Sequence, residues 1–588
     1  MVDLPLSDPR CSNLSCHAFA AGYNASEAEL PWLSQLEYGR WTIYYYSFWV
    51  LLFTVFNLYH IFQDQIQKRR RTNSIQCPTW RQKTLAVCRS LTYRRFTQRW
   101  SDTMGLPSWG LLAILALSTV FLAVLPFIEQ PYVRKLFRYG SPPISIRCAM
   151  IISALTPLTV TLPGKVNVIT LLTGVCYTKL NIIHRFVAYM LFALATVHTI
   201  PHLVSPIQDG GIDNLSRLYR EKKRELSGTA LYAVCFGLAF FSIPWIRKRA
   251  YEAFAYVHIF LAISYVALLW WHIDGEYMSP NYLYVTIGLW ATSFLIRGFF
   301  RNRLFPVGPA HSLRGYPTTL KHLPGNITRI VVSVPGNLTW RPGQHAYIRM
   351  PKLSILDNHP FTIASIPRQT KDCEKEHKMV FLVRAHTGFT HTLSTHAHDL
   401  RTLIDGPYGA HLRPLHRIYD DIICVAGGTG ITAILPMAMH LAEKMSRVEC
   451  VLKTVRLVWM IRDKDWLSWI QEEIEQVKSI AAGSKGRVIL DVYVTARGPK
   501  PVTAEEILES SAETLVQMSP GFLMTTHYLK PEISQLLPDL IKGPRSLVLG
   551  CGPDAMKTSL SNTIAGLQQR VLSGNMMEVA LRTETFGW

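Results

Sequence analysis

The sequence predicts a multi-pass α-helical membrane bundle of about seven spans, followed by a water-soluble module that joins an antiparallel β-barrel to an α/β domain. Three observations carry this prediction. Long apolar stretches recur up to residue 296 and not after about residue 305. Four histidines fall on two of those stretches at equal spacing. Beyond residue 305, short β-branched runs give way to alternating strand and helix patterns with glycine-rich turns between them. The composition agrees: 588 residues exceed one compact core, and 17% charged with 49% hydrophobic residues excludes a disordered chain. Eleven cysteines without clustered CxxC pairs exclude a disulfide scaffold, a zinc ribbon and a bacterial-type iron–sulfur run.

The candidate spans are residues 42–62, 108–128, 148–163, 182–204, 227–246, 253–273 and 277–296. About twenty apolar residues cross a hydrocarbon core, and 148–163 is the shortest of the set. The segment 63–107 reads as a basic loop, carrying Lys68, Arg69, Arg70, Arg71, Arg81, Lys83, Arg89, Arg94, Arg95 and Arg99. The positive-inside rule puts this loop in the cytosol, the N-terminal segment 1–41 outside and the C-terminal half inside. Basic residues at 246–249 and 297–303 agree, whereas RLYREKKRE at 217–225 falls on the outer side against the rule. The net charge of +21 therefore mostly lies along a bilayer surface, and nucleic acid is not an expected partner. Asn13, Asn24 and Asn214 stand in N-x-S sequons on the outer side by this topology; Asn326 and Asn337 stand in sequons on the inner side. Cys11 and Cys16 could pair outside, which sequence alone does not decide.

His184 and His198 lie on the fourth span and His258 and His272 on the sixth, each pair fourteen residues apart. Fourteen residues turn through about 1,400°, some 40° short of four turns, so each pair shares a helix face; they rise about 21 Å. The two spans run in the same direction. Side by side, they set His184 level with His258 near the inner side and His198 level with His272 near the outer side. Each level offers two facing imidazoles, the donor set of a bis-histidine haem. Copper and a proton relay are the competing readings. His60 and His202 read as interface histidines.

In the second half, 328–334, 345–350, 379–385 and 401–405 read as strands of a small antiparallel barrel. From residue 421, DIICVAGG, VRLVWMIRD, RVILDVYVT and SLVLGCGP read as strands, and ITAILPMAMHLAEKM and WLSWIQEEIEQVKSI as helices, giving βα units around a parallel sheet. Five short motifs follow in order: HPFT (His359, Pro360, Phe361, Thr362) with Ile363 after it, GFT (Gly388, Phe389, Thr390), GPYG (406–409), GGTG (Gly427, Gly428, Thr429, Gly430) and GCGP (Gly550, Cys551, Gly552, Pro553). GGTG joins a strand to a helix, so its small residues let backbone N–H groups approach a phosphate.

This ordered set, with the histidine pairs, resembles the fungal ferric reductase / NADPH oxidase superfamily, whose cytosolic part is a ferredoxin-reductase-like dehydrogenase. The resemblance covers residues from about 108 to 588. It implies a six-span haem-binding domain over 108–304, with 42–62 as an additional span, an FAD-binding barrel over 305–415 and an NADPH-binding α/β domain over 416–588. It implies FAD on His359, Pro360, Phe361, Thr362, Ile363, Arg384, Gly388 and Thr390. It implies NADPH on Gly406, Pro407, Gly409, Gly427, Gly428, Thr429, Gly430, Arg462, Gly550, Cys551, Gly552 and Pro553, with Arg462 placed for the 2′-phosphate. Two haems b would take His184 with His258 and His198 with His272 as iron ligands. Cys551 and Phe586 would lie beside the flavin–nicotinamide stack, Phe586 fitting the family's C-terminal aromatic better than Trp588; no side chain acts as acid, base or nucleophile.

The activity implied is NADPH-dependent ferric-chelate reduction across a membrane. The acceptors are extracytoplasmic ferric chelates or siderophores, with Cu(II) as a second acceptor. A downstream iron permease is the implied partner, and the plasma membrane, or else the vacuolar membrane, the location. A superoxide-producing NADPH oxidase shares nearly every motif. The extra span at 42–62, the equal fourteen-residue spacings and the lack of an EF-hand loop lean against it. A non-catalytic transport or regulatory subunit would have lost a haem histidine or GGTG, and neither is lost.

Overall fold

The computed structural model describes residues 14–69, 78–98, 101, 105–273, 279–304, 315–355, 357–367, 376–396, 399–409, 413–445, 450–484, 486–495 and 515–584. The chain divides into two units, Met1–Asn57 with Ile114–Ile296, and Leu58–Ala113 with Arg297–Trp588.

All seven apolar segments are helical. The longer helices of the described residues are α1 (Leu14–Glu29), α2 (Glu37–Arg69), α3 (Trp80–Thr92), α4 (Trp109–Val124), α5 (Pro143–Thr161) and α6 (Tyr177–Glu221). Next come α7 (Lys223–Phe241), α8 (Tyr251–Ile273) and α9 (Ser279–Leu304). By length and composition, five helical stretches among the described residues are apolar enough to cross a membrane: Ser15–Ile66, α4 extended to Phe127, α5, α6 and α8. Helices α7 and α9 cover the other two segments but fall short on composition.

Two boundaries differ from the expectation. Helix α5 starts at Pro143, five residues before the apolar stretch, because Arg147 is inside the fold rather than beyond it. Its fully buried guanidinium donates to Gln35 Oε1 and to the carbonyls of Pro126 and Glu129. Such bonding is what a buried charge requires. The second difference is in α6, which breaks at Gly210–Gly211; Gly211 has φ of 70°, a left-handed value that favours glycine. The basic run 217–225 is helical except at Lys222, the extended residue between α6 and α7, rather than a loop. Asn214 is helical as well, with Nδ2 donating to the Pro206 carbonyl. Cys16 is disulfide-bonded, and Cys11 and Asn13 lie outside the described residues.

The second unit holds the barrel and the α/β domain. Strands β1 (Tyr316–Leu323), β2 (Ile327–Pro335), β3 (His345–Arg349), β4 (His359–Thr362), β5 (Glu376–Arg384) and β6 (Leu400–Tyr408) form an antiparallel sheet ordered β4-β3-β6-β1-β2-β5. The α/β domain contains β7 (Asp421–Gly427), α10 (Ile431–Met445), β8 (Thr454–Ile461), α11 (Gln471–Ala482) and β9 (Arg487–Val494). It continues with β10 (Leu515–Ser519), β11 (Phe522–His527), β12 (Arg545–Cys551), α12 (Asp554–Leu572) and β13 (Glu578–Glu584). Its order is β10-β11-β9-β8-β7-β12-β13, parallel except for β10. The helix expected over WLSWIQEEIEQVKSI starts only at Gln471, after a 3-10 turn over Lys464–Trp469.

The basic segment 63–107 is not merely a loop. Thr79 and Gln82 form a capping box that starts α3. Ala86 is buried in the cluster that also holds Ile564, Leu567, Val571 and Val579. Arg89 pairs with Glu578 at 2.8 Å, and Arg95 and Asn562 exchange two hydrogen bonds. Burial raises the Glu578 carboxyl, but the Arg89 guanidinium, with Arg413 and Arg545, outweighs burial and holds it below the usual range. This contribution is present above the unfolded glutamate pKa and is lost as pH falls through the lowered folded value. Arg89→Ala is expected to destabilise the second unit by about 2 kcal/mol, between exposed and buried pairs, which is roughly 3 °C in Tm for a unit of this size. Melting of the purified protein at pH 7 checks this, and the difference between variant and wild type should shrink on acidification.

Candidate functional site

In the first unit, His184 and His258 stand with ring centroids 6.3 Å apart and planes at 81°. His198 and His272 repeat the arrangement at 6.3 Å and 85°. Each Nδ1 is turned to an oxygen. His184 Nδ1–H donates to the Thr159 carbonyl at 2.9 Å and His198 Nδ1–H to the Ser145 carbonyl at 2.7 Å. His272 and His258 place Nδ1 3.2 Å from Ser227 Oγ and 3.4 Å from Ser242 Oγ. Both hydroxyls already donate to helix carbonyls, of Arg224 and Leu238, so they accept from the imidazoles. All four rings are therefore held as Nδ1–H tautomers with Nε2 left for a metal, the support that metal-ligating histidines need.

The separation fits a metal between each pair. A metal–imidazole bond is about 2 Å, and roughly 1 Å more reaches each centroid, giving about 6 Å. A Cβ on Gly228 would lie 2.9 Å from the His272 ring, so only glycine leaves the imidazole its place. Tyr265, seven residues from both histidines of α8, is buried, with its hydroxyl 2.9 Å from Thr156 Oγ1. Neither Gly228 nor the oxygen partners were foreseen from the sequence; their signal was a polar or small residue inside an apolar span. His202 does lie at an interface: its ring centroid is 5.1 Å from that of His198 and its Nδ1 3.6 Å from Glu225.

In the second unit, β7 and β12 lie side by side and the chain leaves them toward opposite edges of the sheet. The crevice at their carboxyl ends is the topological switch point where α/β sheets take ligands. GGTG follows β7 and GCGP ends β12, so the fold brings these two motifs together there. A Cβ on Gly430 would overlap the Cys551 carbonyl oxygen and lie 2.6 Å from its carbon. A Cβ on Gly427 would lie 2.8 Å from the Pro553 ring. Trp459 Nε1 donates to the Gly428 carbonyl at 3.0 Å and fixes the turn. Thr429 accepts from the Thr432 hydroxyl through its carbonyl. Cys551 is buried, and Arg462 is exposed just beyond β8.

On the barrel, β4 presents His359, Pro360 and Phe361 half-buried, with His359 stacked on Phe389 at 4.9 Å. Thr362 is buried, and Ile363 packs into the barrel core, so its side chain faces away from any ligand. Gly388 takes φ of 58° to begin the short helix Phe389–Thr395. Thr390 Oγ1 accepts from His386 N–H and donates to the Thr387 carbonyl, so its proton is used within its own loop. Arg384 ends β5 with Nε and Nη2 buried and without hydrogen-bond partners among the described residues. Burial, with the Arg462 guanidinium nearby, pushes it below the usual guanidinium range. A half-buried cation with two such N–H groups fits a pyrophosphate. Gly406, Pro407 and Gly409, expected to meet NADPH, end or follow β6, where Tyr408 pairs with His345, within the barrel expected over 305–415. Tyr408 and Arg297 both donate to the Asp405 carboxylate there. Phe586 and Trp588 lie outside the described residues.

Comparison with known proteins follows the same order along the chain. A ferric reductase like transmembrane component matches residues 148–269, an FAD-binding domain 314–412 and a ferric reductase NAD binding domain 419–565. The chain is similar to the probable cell surface ferric reductase kap2 of Aspergillus oryzae, 30% identical over 391 residues, covering 64% of this chain and 51% of that protein. It is similar to the ferric/cupric reductase transmembrane component 7 of Saccharomyces cerevisiae, 26% identical over 605 residues, covering 96% and 95%. A probable ferric reductase transmembrane component of Candida albicans is 27% identical over 366 residues, covering 60% and 49%. The chain thus spans about half the length of the first and third relatives and nearly all of the second. Fold and matches together give a ferric-reductase-like transmembrane region followed by FAD- and NAD-binding domains. In order and kind these matches are those of fungal ferric reductase transmembrane components, which this chain resembles.

Proposed function

We propose that this chain is a transmembrane ferric-chelate reductase that takes electrons from cytosolic NADPH and delivers them to Fe(III) on the extracytoplasmic side, with Cu(II) as a second acceptor. When bound, NADPH would supply hydride, FAD would split the electron pair into single electrons, and two haems b would carry them across the bilayer. The chain's own residues hold and orient these groups. His184 with His258 and His198 with His272 would hold the two haem irons, kept in one tautomer by Thr159, Ser145, Ser227 and Ser242. Gly427, Gly428, Thr429 and Gly430 open the nucleotide crevice, with Gly550, Cys551, Gly552 and Pro553 as its other wall. His359, Pro360, Phe361, Thr362 and Thr390, with the Arg384 cation, form the flavin side. The acceptor is a ferric chelate or siderophore, the partner downstream an iron permease, and the membrane the plasma membrane.

The observation that carries this reading is the equality of the two histidine pairs, 6.3 Å at both levels. Two such levels would hold a haem each, with both imidazoles of a pair turned to the metal, and would favour electron transfer over oxygen chemistry. The test is to give NADPH to membranes holding this protein and follow Fe(II) trapping and superoxide separately. Fe(II) formation insensitive to superoxide dismutase is expected. Iron reduction abolished by the dismutase would assign the chain to the oxidases.

Arg462 gives a second expectation. It stands after β8 where a 2′-phosphate would lie, and losing a charge-assisted hydrogen bond costs about 2 kcal/mol, roughly thirtyfold. Arg462→Ala should therefore raise the KM for NADPH about thirtyfold and leave that for NADH unchanged. Equal shifts for both nucleotides would remove the residue from the 2′-phosphate site.

A further inference from the structure

Among the described residues no carboxylate holds Arg384 in place. Its guanidinium carbon lies 5.1 Å from the centre of the Trp466 ring and 5.8 Å from that of Trp469. The two indoles stack at 4.5 Å and 18°, making one continuous shelf. The shelf is anchored from below, because Trp469 is fully buried and its Nε1 donates to the Pro324 carbonyl at 2.8 Å. Gly325, with φ of 77°, leaves room for it: a Cβ there would lie 2.8 Å from Trp466 Nε1. On the other side is the glycine turn. The position a Cβ would take on Gly428 is 3.7 Å from Arg384 Nη2 and 3.8 Å from Trp466 Cζ3. The end of the barrel strand β5, the indole shelf and the first turn after β7 thus meet at one guanidinium, whose Nε and Nη2 are buried and unbonded among the described residues.

An arginine beside a second arginine, with no anion to hold it, would ordinarily turn its head group toward water. The aromatic faces supply the countering attraction, since a guanidinium over an indole is drawn to the negative ring face and Trp is the strongest such partner. We infer that Trp466 is a positioning residue for dinucleotide binding: it holds Arg384 on the shelf with its buried N–H groups directed to a pyrophosphate. This rests on the reading of the barrel as the flavin site and adds to it the residue that sets the cation's orientation. No family motif contains Trp466, and it lies 82 positions from Arg384 in the sequence.

The test uses the full-length purified protein and reads FAD affinity from the rise of flavin fluorescence on release, with haem absorbance as a check on the membrane part. Arg384→Ala and Trp466→Leu are each expected to weaken FAD binding about tenfold, and the double variant to be no weaker than either. Trp466→Phe keeps an aromatic face and is expected to stay within about threefold of the wild type. That rescue separates loss of orientation from general loss of packing. Wild-type FAD affinity in Trp466→Leu, alongside a weakened Arg384→Ala, would overturn the role of Trp466. A Phe variant as weak as the Leu variant would also overturn it, assigning the indole to packing. Unchanged affinity in Arg384→Ala would sink the phosphate assignment itself, and a wild-type protein that binds no FAD would sink the flavin reading.

Discussion

Replacing His198 with Leu is expected to lower the haem content from two per chain to one and to bring NADPH-dependent metal reduction to background. Leu fills much of the imidazole's volume but offers no nitrogen lone pair, so the His198/His272 level loses one of its two axial donors. The His184/His258 level stands about 21 Å away along the helices, with its own oxygen partners, and should be untouched. NADPH-dependent reduction of a soluble dye at the flavin should therefore persist while reduction of impermeant ferric chelates stops. Pyridine haemochrome assay against protein concentration reads the first effect and Fe(II) trapping the second. Ser145→Ala serves as a control: His198 bonds to the backbone carbonyl of residue 145, so this variant should keep both haems.

Gly430→Ala is expected to lower NADPH-driven flavin reduction about a hundredfold, with haem content unchanged. The added carbon would meet the backbone of Cys551, not a side chain that could swing away. Neighbouring pairs Leu549↔Cys424 and Cys551↔Ala426 tie β12 to β7, so neither strand end can retreat alone. Overpacking of that kind costs about 1–3 kcal/mol, and the upper end is roughly a hundredfold in rate. Stopped-flow reduction of the flavin by NADPH measures it. A rate within threefold of the wild type would mean that the crevice between GGTG and GCGP is not where the nucleotide lies.

Much of the fold was legible because it is written in local periodicity. Apolar stretches of span length gave seven helices, and β-branched runs gave β2, β3, β5, β6, β7, β8, β9 and β12. The histidine pairs were legible for the same reason, since equal spacing on two parallel helices fixes their levels without knowledge of packing. What escaped depends on contacts distant in sequence. The docking of α3 relies on Arg89 meeting Glu578, 489 residues away, and its many basic residues masked an amphipathic helix. Arg147 made a buried helix look short, because charge alone does not reveal that Gln35 and two carbonyls will surround it. Gly228 and the indole shelf escaped similarly: a glycine needed for space, or a tryptophan needed for its face, looks ordinary until its neighbour is placed. The glycines of GPYG also have a local task that the motif did not show, a close approach of the end of β6 to Ala346 and Gln344.

The most direct test is the number of b-type haems per polypeptide in the purified wild-type protein, with their reduced-minus-oxidised spectrum. Two per chain, both low-spin with nitrogen ligands on each side, is the expected result. One or none per chain, or a high-spin centre open to exogenous ligands, would contradict the paired-histidine path on which the proposed electron transfer depends.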